Sequence, residues 1–286
     1  VSFRNTGAHA IEKAGYYLFI GAIEPGPHEL PHYYTGLDWY KDDDATFIAT
    51  NWFDAKRIPL VGITRSPGQA VYSETPGGVI WAGVRNQYFT SLISTVETPA
   101  NGVWAERFAT KVEEEETFGI SGALALGGFH LEPGASTERS FTLYAGPKEY
   151  RNLKALGQGE AEMMNFGIFK VICIFLLRSM NWLEGWLHSY ALAIIVLTFV
   201  VRGALWPIQG KATASMKKMQ LVQPKMAELK EKYKDDPARM NQEIMKMYKE
   251  YKINPLAGCL PMLIQIPIFF GFYSMLGTAV ELRNSH

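Results

Sequence analysis

The stretch that most constrains this chain is the apolar run over residues 190–208, Y-A-L-A-I-I-V-L-T-F-V-V-R-G-A-L-W-P-I, interrupted once by Arg202. At about 1.5 Å per helical residue it is long enough to cross a hydrocarbon core of about 30 Å. A soluble helix does not need apolar surface all round, and the β-branched run from Ile194 to Val201 is too long for one strand, so the segment reads as a membrane span. A guanidinium near mid-bilayer costs about 2.5–3.5 kcal/mol on insertion scales, and such a residue faces a protein interior or a watery cavity. The spacing also admits a second reading: Arg202 lies six residues from Ile208, close enough to snorkel to the surface as an anchor.

The net charge of zero hides an asymmetry across this span. Before it acidic residues dominate, densest at Asp42 to Asp44 and Glu113 to Glu116; over residues 211–252 basic residues are in excess. Positive charge stays in the cytoplasm, so the acidic N-terminal part lies outside. Cys173 and Cys259 sit in apolar context and read as small buried hydrophobes rather than a disulfide or metal site. The chain starts at Val1 with neither a Met nor a signal-like segment, although the pattern demands export, so a preceding N-terminal part is expected.

Residues 1–150 read as all-β. Alternating runs (16–20, 46–53, 79–84, 140–145) are separated by turn clusters at Glu24, Ser66, Thr75 and Glu132, the pattern of a sandwich. No catalytic signature is visible, and His9, His28, His32 and His130 lack metal-ligand spacing. Trp39, Trp52, Trp81 and Trp104 are readable as core or as the lining of a sugar- or protein-binding groove. A polar linker is expected over 151–162. Over 163–187, Lys170, Arg178, Asn181 and Glu184 keep near one helix face with Trp182 and Trp186 at headgroup level, which suggests an interfacial helix; its apolar first half is also readable as part of a span. The first span is placed at 188–209.

Over 210–253, Met219, Val222, Met226, Leu229 and Tyr233, then Met240, Ile244, Met247 and Tyr251, step by threes and fours, so an antiparallel helical hairpin is expected, with Asp236 as N-cap, Pro237 in the first turn and a kink at Pro224. Its exposed lysines suit anionic lipid, RNA or protein, or simply set topology. The run over 254–280 is a second span, with prolines 255, 261 and 267 and a small-residue strip of Gly271, Ser274 and Gly277 for close helix approach. Gln265 is a polar group at depth, either interhelical glue or a substrate contact. Residues 281–286 lie outside again. Two spans cannot enclose Arg202, so further helices are expected beyond His286.

The motifs F-V-V-R-G-A-L-W-P from Phe199, S-M-K-K-M-Q-L-V-Q-P-K from Ser215 and N-P-L-A-G-C-L-P-M-L-I-Q-I-P-I-F from Asn254 resemble the YidC family of membrane protein insertases. Q-Y-F at Gln87 and L-Y-A-G-P at Leu143 resemble the end of that family's periplasmic domain. The resemblance implies a multi-domain membrane protein: a periplasmic all-β sandwich, a mutarotase-like supersandwich, followed by an α-helical transmembrane insertase core with a cytoplasmic helical hairpin. It implies an anchor before the sandwich and three more spans after the second one. It places the protein in the bacterial inner membrane, multi-pass, inserting and helping to fold other membrane proteins alone or with the Sec translocon.

In that reading Arg202 is the charge of a hydrophilic substrate groove, with Gln265, Pro267, Ile268, Phe269 and Phe272 as groove or apolar slide. Lys217, Lys218, Lys225, Lys230, Lys246 and Lys249 on the hairpin meet a ribosome or targeting receptor. The implied partners are nascent membrane proteins, the Sec translocon and lipid, with no DNA, no cofactor, no metal, no catalytic residue and a monomeric state. Two other classes stay open: a membrane-anchored, carbohydrate-binding or mutarotase-like periplasmic enzyme, against which stands the missing acid/base pair, and a channel or transporter subunit, for which more intramembrane charges are expected.

Overall fold

The computed structural model describes residues 1–57, 64–234, 236–251, 260–278 and 280. Two compact units emerge, one built on residues 1–165 and one on residues 166–276.

The first unit contains β1 (Ser2–Arg4), β2 (Ile11–Ile23), a single turn α1 (Pro31–Tyr34), β3 (Gly36–Lys41), β4 (Asp44–Ala49), β5 (Lys56–Arg57), β6 (Thr64–Ser66), β7 (Val71–Glu74), β8 (Trp81–Arg85), β9 (Phe89–Thr95), β10 (Gly102–Val112), β11 (Glu115–Leu131), β12 (Ser136–Glu138), β13 (Phe141–Pro147) and α2 (Tyr150–Leu156). Two antiparallel sheets, ordered β2-β11-β10-β7 and β13-β9-β8-β3-β4, form a sandwich; β1-β12 and β5-β6 are small ribbons. Alternation sends Ile20, Leu124 and Val103 inward from one sheet to meet Leu37, Ala82, Val84 and Ile93 from the other. The sheets come close at Gly122, where a Cβ would lie 2.7 Å from a Leu37 methyl.

Both dense acidic runs turn out to be hairpin tips. Asp42 and Asp43 (φ 50° and 62°) join β3 to β4, and Glu113 and Glu114 (φ 50° and 68°) join β10 to β11. These are two-residue turns with both central residues left-handed, which the right-handed twist of the strands favours. The run expected as a strand over 46–53 stops at Ala49, because a 3-10 turn over Thr50–Phe53 swings Phe53 into the core. The expected strand over 79–84 begins only at Trp81, Val79 making an isolated bridge to Ala100.

Trp39 and Trp81 are buried, and Trp39 Nε1 donates to the Tyr72 hydroxyl at 3.2 Å. Burial, chiefly, pushes that phenol up to about 12. Trp52 packs edge-on against Phe53 and Tyr72. Trp104 alone of the four faces outward.

The expected linker is ordered. Its first residues form α2, and after Gly157 and Gly159, both left-handed, a 3-10 turn over Glu160–Met164 buries Glu160, Met163 and Met164. The Glu160 carboxylate accepts from Ser94 Oγ and from the Gln158 amide, both at 2.7 Å. Residues 163–169 are therefore not part of the helix expected over 163–187: two 3-10 turns separated by left-handed Asn165 hold them.

In the second unit α3 (Lys170–Leu187) turns its Cys173, Leu176, Leu177 and Met180 face inward, while Val171, Phe175, Trp182 and Trp186 form an exposed apolar stripe on the other side. Next comes α4 (Tyr190–Lys232), one continuous helix that carries both the first span and the first arm of the hairpin. Ser189 caps it, and it runs through Pro207 and Pro224, so Pro224 does not interrupt the arm. Its residues 190–210 are long and apolar enough to span a membrane, and only 11% of their most apolar window is buried. That apolar, exposed surface makes the segment a membrane-span candidate.

The hairpin closes with α5 (Pro237–Glu250). Asp236 accepts from the Arg239 amide at 3.0 Å and Pro237 occupies the first turn, as the spacing predicts. Val222 and Met247 form the buried centre, with Met219, Met226, Leu229 and Tyr248 around them. Tyr248 takes the place the heptad reading gave to Tyr251. Last is α6 (Leu260–Thr278), with Pro267 inside. The start of the expected second span, with Pro255 and Cys259, lies outside the described residues, as do residues 281–286.

Candidate functional site

The helix periods of α4 and α6 decide which side chains can meet. On α4, Ile194, Thr198, Val201, Arg202, Leu205 and Gln209 recur at three- and four-residue steps and so share one face; on α6 the same holds for Gln265, Ile268, Phe269, Phe272 and Leu276. The two faces line one groove of about 490 Å³.

Arg202 is exposed in this groove and, among the described residues, makes no ion pair. Thr198 is satisfied internally, its hydroxyl donating to the Ile194 carbonyl at 2.7 Å. Gln209 and Gln265 supply the amides, and the remaining lining is aliphatic or aromatic. Such a site offers one cation, two amides and an apolar wall. It contains no nucleophile paired with a base and no acid/base couple.

Of the residues singled out from sequence, the structure brings Arg202, Gln265, Ile268, Phe269 and Phe272 into this groove. Pro267 is not there. Two residues on from Gln265 is about 200° around a helix, so Pro267 looks the other way. Sequence reading missed Ile194, Thr198, Val201, Leu205, Gln209 and Leu276, although Gln209 was findable as the next polar residue two turns along the Arg202 face. The small-residue strip is used by α3: the Cys173 thiol lies 3.5 Å from the Gly271 carbonyl, a Cβ on Gly271 would meet Ile172 at 3.0 Å, and Phe169 stacks on Phe270.

The six hairpin lysines are all exposed, but they do not form one basic face. Lys225 donates to the Tyr251 hydroxyl and sits over its ring, a hydrogen bond that raises the ammonium pKa above its ordinary value. Lys246 pairs with Glu243 at 2.6 Å. Lys217, Lys218, Lys230 and Lys249 make no ion pair among the described residues. The cleft between the arms mixes Lys225, Lys232 and Lys246 with Glu228, Glu243 and Glu250.

Comparison with known proteins supplies the family. Residues 2–179 match the model of the YidC periplasmic domain, and residues 182–286 that of the 60Kd inner membrane protein. The chain belongs to the YidC family. This YidC-family chain is 40% identical over 208 residues to a membrane protein insertase YidC of Syntrophus aciditrophicus, covering 72% of the chain and 37% of that relative. It is 39% identical over 209 residues to the Geotalea daltonii protein of the same name, covering 72% and 38%. With that of Syntrophobacter fumaroxidans it shares 43% identity over 156 residues, 54% of the chain and 28% of the relative. The chain thus spans less than two-fifths of the length of these relatives. In this family setting it is an inner membrane protein whose sandwich is the periplasmic domain, followed by a helical region with a membrane-span candidate.

Proposed function

We propose that this YidC-family protein inserts membrane proteins into the inner membrane and helps them fold, alone or beside the Sec translocon, and that the Arg202 groove receives the polar part of each substrate. The observation that carries this reading is an exposed, unpaired guanidinium inside a mostly apolar groove flanked by a span. Covalent chemistry has no role. A segment passing outward trades water for the groove's amides and guanidinium, while its apolar part slides along Ile268, Phe269 and Phe272 into lipid. The attraction must be strong enough to draw in a carboxylate and weak enough to release it, which suits a single cation. A membrane potential negative inside then favours outward passage of each acidic group by about 2.3 kcal/mol per 100 mV.

In the same reading α6 is a second membrane crossing, α3 lies at the periplasmic interface against lipid, and the hairpin is cytoplasmic, where its free lysines meet a ribosome or targeting receptor. A monomer suffices, since the groove uses residues of one chain.

The test pairs a substrate carrying an acidic translocated tail with the same substrate neutralised. Arg202→Lys is expected to retain most insertion, whereas Arg202→Ala and Arg202→Glu should fail selectively on the acidic tail. Equal defects on both substrates would reduce Arg202 to a membrane anchor.

A further inference from the structure

The outer face of the four-stranded sheet carries a feature that the groove reading does not use. In one cross-strand row stand Phe19 on β2, Ala123 on β11, Trp104 on β10 and Ser73 on β7. The adjoining rows are Tyr17, Ala125 and Gly102 on one side, and Ser121, Glu106 and Val71 on the other. Their intervening neighbours Leu18, Leu124 and Val103 point into the core, so all these side chains share the outward face.

The result is a trough along β11. Small residues Ser121, Ala123 and Ala125 make its floor, Tyr17 and Phe19 one wall, Trp104 and Glu106 the other. Strands lie about 4.8 Å apart, so the walls stand about 10 Å apart, and three rows along a strand give a length of about 14 Å. Tyr17, Phe19, Trp104 and Ala123 enclose about 310 Å³, and although Tyr17 and Phe19 are 62% and 59% exposed, Ala123 beneath them is 3% exposed.

Charge selects the occupant. The only charged side chain on the walls is Glu106, which makes no ion pair among the described residues. Aromatic faces and an unpaired carboxylate together complement a planar cation, which stacks on the rings while it pairs with the acid. The floor offers a sugar ring little to hydrogen-bond, and the trough's length fits about four extended residues. We propose that this trough docks polypeptide segments that present an arginine among apolar side chains.

The probe is a fluorescent alternating arginine–leucine heptapeptide, titrated by anisotropy against the whole chain in zwitterionic nanodiscs, with empty nanodiscs subtracted. Saturable binding is expected, with none for the glutamate–leucine version. Trp104→Leu keeps the apolar wall but removes the ring, and should weaken binding about 5-fold; Glu106→Gln should weaken it about 3-fold. Ala125→Leu, which fills the floor without removing a wall, should block binding and serves if Trp104→Leu unfolds by circular dichroism. Equal binding of both peptides, or parental affinity in Glu106→Gln and Ala125→Leu, would overturn the proposal. So would binding of maltoheptaose that Ala125→Leu abolishes while the arginine peptide fails to bind, which would make the trough a glycan site.

Discussion

Arg85 in β8 and Asp38 in β3 form an ion pair in which the side chains are 3% and 1% exposed. The guanidinium also lies 3.9 Å from the Phe47 ring centroid, and Lys148, fully buried just beyond β13, donates to the Asn86 carbonyl at 3.2 Å. Removing one member of a buried pair costs about 3–5 kcal/mol, because the other charge stays desolvated, and a desolvated cation–π contact adds about 2 kcal/mol. Arg85→Met should not cost the full sum. Burial holds the Lys148 pKa well below its usual value and Arg85 pushes it down further, so once Arg85 is gone Lys148 protonates more readily and offsets part of the Asp38 charge. The expected loss is about 3–4 kcal/mol, or about 6–16 °C in melting temperature for a unit of this size. Arg85→Met with Lys148→Met should lose more, having no cation left. The triple variant Asp38→Leu, Arg85→Met, Lys148→Met should recover most of the loss, since an apolar replacement of a buried charge cluster is close to neutral. Thermal unfolding followed by near-ultraviolet circular dichroism, which reads the buried Trp39 and Trp81, gives the order directly. A loss under about 1 kcal/mol for Arg85→Met, or a triple variant weaker than the single one, would refute the reasoning.

Other expectations follow from single contacts. The depressed Lys148 pKa means that the unfolded chain binds more protons than the folded one between the folded value and 10.5, so sandwich stability should rise with pH through that window; Lys148→Met should flatten the slope in alkaline melts. Asp236→Ala should cost the hairpin about 1 kcal/mol, read as faster amide exchange in α5, and unchanged protection would dismiss the cap. Ser274 is within hydrogen-bonding reach of Cys173, so Ser274→Cys should crosslink to Cys173 under mild oxidation, and adding Gly271→Leu, which cannot fit against Ile172, should abolish the link. Protease outside spheroplasts should digest the sandwich and spare residues 210–253; cuts there would reverse the proposed orientation.

What the sequence determined by itself was local and periodic. A run of apolar residues set the span, alternation with Gly/Pro punctuation set the sandwich, and the Asp236–Pro237 pair set the start of α5, because each depends only on neighbours along one element. The family motifs lay in the same legible stretches. What only tertiary structure decided was which faces meet. Arg202 and Gln265 are far apart in sequence, and nothing in either helix alone says that they share a groove or that Pro267 turns away from it. Likewise, Tyr248 rather than Tyr251 joins the hairpin core, since the crossing of two helices selects the contacting turn. Trp104 reads like the three core tryptophans until strand register puts it on the outer face, where a shift of one residue would have buried it. Lys148 looks like any surface lysine after a strand; Asp38, which favours its charge, and Arg85, which opposes it, come from strands more than sixty residues upstream.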